Sequence, residues 1–354
     1  MASKSPLVSV ILSVHNCAPY LQETLESLYA QTLEDFELIV VNDGSADDTR
    51  RILERQSDKR VRVIHNDKNV GVSASRNAGM ERAKSDTIAV ADGDDVYFPD
   101  RLLMQYSHMS KHAEVDVLSG PGFYMSEEGK LLGRIGAPQT HAEIRFALHW
   151  CNPIINSCAM YRRTSVESVG GYDTTFRRFQ DWELWSRLID TAKFANLAEP
   201  LVKQRLHPGS NMATSAREAF ELAVGVVRRL LRRYLRQPIE ADEARGFALL
   251  LFPFYSIPSS GVGPGLNLVR RFVERAMKTE RDLNVRRYRP TFAESILTQS
   301  RNLSYVDSRA SFRLLAESIR MHPLGTFSRK VGAQWARLLL RLPQKRLAGA
   351  FPKS

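Results

Sequence analysis

The first hundred residues alternate between short runs rich in β-branched residues and stretches with helical spacing, and this alternation restricts the chain to few folds. Val8 to Val14 reads as a strand, followed by a helix with Leu21, Leu25 and Leu28 on one stripe. Glu37 to Val41 is a second strand, and Asp47 to Arg55 a helix opened by the capping region at Ser45 and Asp47. Val61 to His65, Ser73 to Ala83 and Thr87 to Val90 continue as strand, helix and strand. Strands joined through single helices require right-handed crossovers, which predicts an α/β fold with a mostly parallel central sheet covered on both faces. In such sheets ligands bind beyond the carboxyl ends of the strands. Those ends hold His15 and Asn16, then Asn42, Asp43 and Gly44, then Asp92, Gly93, Asp94 and Asp95.

From Ala113 to Leu201 the pattern is mixed, with a strand at Ser157 to Arg162, a turn at Gly170 to Asp173 and an amphipathic helix from Asp181 to Ile189. This part is expected to complete a first domain, residues 1–210. The remainder, 211–354, is Leu- and Arg-rich and mainly helical, with Pro258 to Pro264 read as a loop between helices. The net charge of +11 is concentrated there: 26 Lys/Arg stand against 11 Asp/Glu, leaving the first domain slightly acidic. Two segments carry that charge beside an apolar stripe, Arg228 to Arg236 and Phe327 to Leu342. Each can pack on the folded protein, the reading placed first, or lie on an anionic membrane surface. Aromatic residues are sparse among the arginines and no recognised nucleic-acid module is present, so nucleic acid is not an expected partner.

No segment reaches the roughly 18 uninterrupted apolar residues of a spanning helix; the longest, Phe247 to Tyr255, contains Pro253. Leu7 to Val14 is too brief for a secretory core, and Cys17, Cys151 and Cys158 lack the paired spacing of a zinc site and fit a reducing compartment. The expected location is cytoplasmic, at most peripheral on the inner face of the cell membrane.

Three carboxylates, Asp92, Asp94 and Asp95, crowd the end of a buried strand and would repel one another without a cation. Hard oxygen ligands suit Mg²⁺ or Mn²⁺ shared with phosphate oxygens; the alternative is a solvated acidic turn. Asp43 can accept from a base or ribose, or serve turn chemistry with Gly44. The segment from Asn69 through Gly71 opens a helix that carries Arg76, able to face a diphosphate or brace the carboxylates. Asp181 stands at a helix start, where the residues alone favour a cap over a general base. His207 lies in a loop from which neutral imidazole could complete a metal shell. After the first strand the chain has no glycine-rich loop, which counts against a sugar-1-phosphate nucleotidyltransferase and a dinucleotide-dependent oxidoreductase.

Taken together over residues 7 to 210, these segments resemble the family 2 glycosyltransferases. The match runs through Val8 to Asn16, Val41-Asn42-Asp43-Gly44-Ser45, Asn69-Val70-Gly71 with Ser75-Arg76-Asn77, and Asp92-Gly93-Asp94-Asp95. It continues with Gly170-Gly171-Tyr172-Asp173, Asp181-Trp182-Glu183-Leu184-Trp185 and His207-Pro208-Gly209-Ser210. The resemblance implies the nucleotide-sugar-binding GT-A fold and inverting, metal-dependent transfer of a sugar from a nucleotide-diphosphate sugar to a saccharide or lipid-linked saccharide. His15, Asn16, Asp43, Gly44, Asn69, Gly71, Arg76 and Asp92 would bind the donor. Asp94, with Asp95 nearby and His207, would hold Mn²⁺ or Mg²⁺, and Asp181 would be the general base. Where the family more often has Glu-Asp, this chain has Gln180-Asp181. The acceptor pocket is expected in loops between Leu118 and Pro153, and the setting in cell-surface polysaccharide or glycolipid assembly. A scaffold that binds nucleotide sugars without turnover is the non-enzymatic alternative.

Overall fold

The structure, a computed structural model, describes residues 5–207, 216–251, 259–280, 283–303 and 307–321. Its packing divides the chain between Leu222 and Ala223 into two compact units. That division lies inside a helix, beyond the compositional boundary near residue 210.

The alternation read from the first hundred residues forms as β1 (Val8–Val14), α1 (Ala18–Tyr29), β2 (Phe36–Asp43), α2 (Thr49–Glu54), β3 (Val61–Asn66), α3 (Val72–Arg82) and β4 (Thr87–Asp92). There follow β5 (Val96–Tyr97), α4 (Arg101–Lys111), β6 (Val117–Ser119), β7 (Gly122–Met125), β8 (Leu131–Ile135) and α5 (His141–Ala147). The first unit is completed by β9 (Met160–Arg162), α6 (Arg163–Glu167), α7 (Gln180–Leu188), β10 (Phe194–Asn196) and β11 (Val202–Arg205). Part of the strand expected at Ser157 to Arg162 is instead a 3-10 turn over Asn156–Cys158, which leaves only three residues to pair.

Seven strands form the central sheet in the order β10-β6-β9-β4-β1-β2-β3. Every pairing is parallel except those of β9, which runs antiparallel to both β4 and β6. Alternate β1 side chains serve opposite faces. Val8, Val10 and Leu12 join Leu21, Leu25 and Leu28 of α1 in the main core, while Ile11 faces α3, where a Cβ added to Gly79 would fall 2.6 Å from its Cγ2. Both faces are therefore covered, and the polar residues are left to the strand ends.

A smaller sheet, β5-β11-β7-β8, supplies what the mixed middle of the sequence did not reveal. β5 begins directly after the acidic turn and pairs antiparallel with β11, Val202 opposite Tyr97 and Lys203 opposite Val96. As β11 runs on past Lys203, its register brings it back alongside Asp95 and Asp94. This pairing carries the chain near residue 205 to the acidic turn.

Among the described residues the second unit is helical: the later part of α8 (Ala216–Leu235), then α9 (Ala241–Leu251), α10 (Ser259–Thr279), α11 (Arg289–Leu303) and α12 (Ser308–Met321). The loop expected at Pro258 to Pro264 is corrected from Ser259 onward, because those residues form the start of α10 with Pro264 inside it. Burial of Val262, Leu266, Val269, Phe272 and Ala276 along that helix outweighs the lost backbone hydrogen bond. The glycines serve close approach: a Cβ on Gly246 of α9 would lie 2.5 Å from the Gly261 carbonyl and 2.9 Å from Gly265. The amphipathic segment read at Phe327 to Leu342 and the residue Pro258 lie outside the described residues.

Candidate active site

The ends of β1 and β2 are tied to each other. His15 Nδ1 donates to the Asp43 carbonyl at 2.8 Å, which leaves Nε2 to accept from Asn16 Nδ2 at 3.2 Å. Asn16, in a left-handed conformation with φ 52°, accepts from Ala46 N–H, and its own amide donates to Ser45 Oγ at 3.0 Å. Asp43 is 2% exposed, and its carboxylate accepts from Asn66 Nδ2, Val70 N–H and Gly71 N–H, each at 2.9 Å. It thus shapes the segment that opens α3. Gly44, at φ +65°, passes beneath that segment, where a Cβ would sit 2.4 Å from the Lys68 carbonyl carbon. Asn69 belongs to the same loop and Gly71, at φ +95°, precedes α3. Asp47 takes part as a local cap, accepting from Thr49 N–H and Ala18 N–H at 3.0 Å each.

Arg76, one turn into α3, is buried to 2% exposure and donates to Asp92 Oδ1 at 2.6 Å. Asn156, with its amide oxygen toward the guanidinium, accepts from Nη1 at 2.8 Å and Nη2 at 3.0 Å. The Tyr172 ring lies 5.5 Å from the same group. Burial alone would lower the Arg76 pKa; the negative charge of Asp92, together with Tyr172 and Asp181, reverses this and raises it. The arginine braces the strand-end carboxylate, one of its two expected uses.

In the acidic turn the three aspartates separate. Asp94 Oδ2 lies 3.0 Å from His207 Nε2. Asp95, 4% exposed, faces inward instead and accepts from Arg205 N–H at 3.0 Å. Burial pushes its carboxyl well above the usual range, with the charges of Asp94 and Asp92 acting in the same direction. Asp92 also titrates high, because burial outweighs the opposing effect of Arg76.

α7 begins after Phe179, a bulky residue at φ 54°, and carries Asp181 in its first turn. Trp182 and Trp185 anchor the helix in the core, and Trp182 Nε1 donates to the Leu148 carbonyl at 2.8 Å. Burial raises the Asp181 pKa, opposed by its hydrogen bond from Trp182 N–H and by Arg76, and assisted by Asp92. Arg76 therefore acts electrostatically on both Asp92 and Asp181. Glu183 is an internal brace: it pairs with Arg187 at 2.7 Å, and Arg187 Nη2 donates to the Gly171 carbonyl at 2.7 Å. Asn77 exchanges two hydrogen bonds with the Tyr172 backbone, at 2.8 and 2.9 Å, joining the turn before α7 to α3.

Residues 9–170 match the family model described as glycosyl transferase family 2. A glycosyltransferase of Haemophilus influenzae, itself uncharacterised, is 32% identical over 247 residues, covering 66% of this chain and 75% of the relative. The chain belongs to the family 2 glycosyltransferases. The amylovoran biosynthesis glycosyltransferase AmsE of Erwinia amylovora is 32% identical over 218 residues, 60% of this chain and 80% of AmsE. Among solved structures, TarS of S. aureus in complex with UDP-GlcNAc aligns with a TM-score of 0.54 at 18% identity, covering 93% of this chain and 91% of TarS. The fold is thus GT-A, with the mostly parallel central sheet and C-terminal helices.

For a glycosyltransferase of this fold the donor set beside the acidic turn is informative. Asp94 and His207 are part-exposed neighbours, one hard oxygen donor and one imidazole. Among the described residues no group of three His, Cys, Asp or Glu side chains is arranged to hold a metal. The pair fits a divalent ion whose remaining positions are filled by phosphate oxygens and water, and does not fit an all-protein cage. Sequence reading passed over Arg205, although it stands two residues before His207. Its side chain is 2% exposed, donates from Nε to the Asp94 carbonyl at 3.0 Å, pairs with Glu23 at 2.5 Å and lies 5.1 Å over the Tyr20 ring. The Tyr20 ring in turn stands 4.6 Å from that of His207. Asn152, which donates to Asp181, and Asn156 were also passed over, because neither sits in a run with recognisable spacing.

Proposed function

We propose that this family 2 glycosyltransferase transfers a sugar, with inversion, from a nucleotide-diphosphate sugar to an acceptor hydroxyl in cell-surface polysaccharide or glycolipid assembly. The observation that carries this reading is the convergence, around buried Arg76, of Asp92 at the end of β4 and Asp181 at the start of α7. A UDP-sugar is the favoured donor, since the structurally similar TarS was solved with UDP-GlcNAc; the role of AmsE in amylovoran biosynthesis supports the polysaccharide setting.

In this reading the loop shaped by Asp43, with His15, Asn16, Gly44, Asn69 and Gly71, receives the nucleoside, and Asp92 braced by Arg76 faces the ribose and diphosphate. Asp94 and His207 would hold Mn²⁺ or Mg²⁺, with the buried Asp95 supporting them through Arg205. The ion, when bound, supplies positive charge against the departing diphosphate. Asp181 takes the proton of the acceptor hydroxyl as its oxygen attacks the anomeric carbon from the face opposite the leaving group, and a single displacement inverts that carbon. A saccharide or lipid-linked saccharide acceptor enters from the side of the loops between Leu118 and Pro153. The exposed arginines Arg228 and Arg232 on α8, with Arg236 just past its end, are offered as contacts for an anionic membrane surface. No helix of the described residues is long and apolar enough to cross a membrane.

The test is turnover of UDP-, GDP- and dTDP-sugars with Mn²⁺, with the anomer of the product read by NMR. Asp181→Asn should lose on the order of 10²–10⁴-fold in kcat while keeping the thermal shift produced by the donor. A product of retained configuration, or an Asp181→Asn enzyme with undiminished kcat, overturns the mechanism.

A further inference from the structure

Asn152 lies in the loop between α5 and the 3-10 turn, and its Nδ2 donates to Asp181 Oδ2 at 2.7 Å. The amide cannot be turned around without loss, because its Oδ1 already accepts from Ile154 N–H at 3.2 Å. The end presented to Asp181 is therefore the NH₂, a group that only donates and so favours the ionised carboxylate. The loop is held on both sides of Asn152: Cys151 N–H donates to the Ala147 carbonyl at 2.8 Å, and the Pro153 carbonyl accepts from Asn196 Nδ2 at 3.3 Å. Trp182 Nε1, donating to Leu148, fixes α7 against the end of α5. The donor is presented to Asp181 from a fixed position.

We propose that Asn152 is a positioning residue that holds Asp181 ionised in one rotamer, engages Oδ2 and leaves Oδ1 to take the acceptor proton. This rests on the reading of Asp181 as the base. The carboxylate also accepts from its own helix amides at Trp182 and Asp181, and without Asn152 it would rest on those amides alone, as a plain cap. The charged and titratable groups that act on Asp181 are Arg76 of α3, Asp92 at the end of β4, and Tyr172 in the turn before α7. Arg76 favours ionisation and Asp92 opposes it, while the Tyr172 phenol is neutral where a carboxyl titrates; Asn152 adds the one side-chain hydrogen bond shown to reach this carboxylate among the described residues. The neutral amide shifts the balance toward ionisation without adding charge to the cleft.

The test needs no substrate. In protein labelled with ¹³C at the aspartate carboxyls, the Asp181 signal is the one missing from Asp181→Asn, and its titration is followed in wild type, Asn152→Ala and Asn152→Asp. Asn152→Asp keeps an oxygen for Ile154 N–H, so the loop retains its turn while the donor is lost. The Asp181 midpoint should rise by at least about 0.5 pH unit in Asn152→Ala. It should rise further in Asn152→Asp, where two carboxylates compete for one proton. A midpoint equal to wild type in both variants overturns the assignment, because a purely structural Asn152 would not move it. In the turnover assay kcat should fall about tenfold in Asn152→Ala with donor KM unchanged. An Asp181→Asn enzyme that keeps its kcat would defeat the base reading separately, whatever the titration shows.

Discussion

Replacing Arg76 with Met keeps most of the stem's volume and removes the charge that braces the strand-end carboxylate. Breaking a fully buried pair by deleting one partner costs about 3–5 kcal/mol. Here the two ends differ: the Arg76 side chain is 2% exposed, whereas Asp92 retains 34% exposure toward the cleft. Solvent can therefore rehydrate Asp92 in part, and the expected loss at neutral pH is about 2–3 kcal/mol. The pH dependence follows from sign. In the folded protein the Asp92 pKa already lies above its ordinary value, so stability falls as pH rises from that value through the folded one. Removing Arg76 raises it further and extends the fall to higher pH. The gap between wild type and Arg76→Met should thus be small near pH 4 and widen to its full size at neutral pH. Urea unfolding followed by tryptophan fluorescence measures it, since Trp150, Trp182 and Trp185 all report on the first unit. A gap below about 0.5 kcal/mol that does not change with pH would refute the buried-brace argument.

Asp43→Ala should release Val70 and Gly71 N–H, abolish the thermal shift given by the donor, and lower first-unit stability by about 2–3 kcal/mol. Asp94→Ala and His207→Ala should each weaken binding of Mn²⁺, read by its electron paramagnetic resonance in the presence of the donor, by tenfold or more; unchanged binding in both would remove the pair from the metal site. Burial holds the Cys17 and Cys151 thiols up at about 12, so both should resist iodoacetamide at pH 8 in the folded protein, as read by mass spectrometry. Arg228, Arg232 and Arg236 changed together to Gln should abolish sedimentation with anionic vesicles at low salt, and equal sedimentation would leave that face to solvent.

The parallel strands were legible because β1, β2 and β4 are apolar and buried through their middles, and the carboxyl ends of these strands turn polar. Val8 to Val14 forms the first strand with the boundaries read from sequence. The small sheet was not legible, since β5 has two residues and β7 and β11 four each, too few to show a period. The helical start of α10 was hidden because Pro264 and its neighbouring glycines carry strong local turn signals, while the gain from packing Gly265 on Gly246 is visible only in three dimensions. At the site, the partners of single side chains were the hardest to foresee. Arg76 facing Asp92 spans 16 positions and Asn152 facing Asp181 spans 29, and no local pattern encodes either contact.

The antiparallel pairing of β5 with β11 also has a temporal meaning. Asp94 and Asp95 meet His207 and Arg205 across separations of 113 and 110 residues. A ribosome has therefore produced almost the whole first unit before the acidic turn receives these partners. Until then the emerging sheet carries an inward-facing carboxyl without the backbone donor that satisfies it, a local penalty that opposes early closure. A released chain ending just short of residue 202 should form the parallel core with the donor edge open to protease, and one extended through His207 should be closed there.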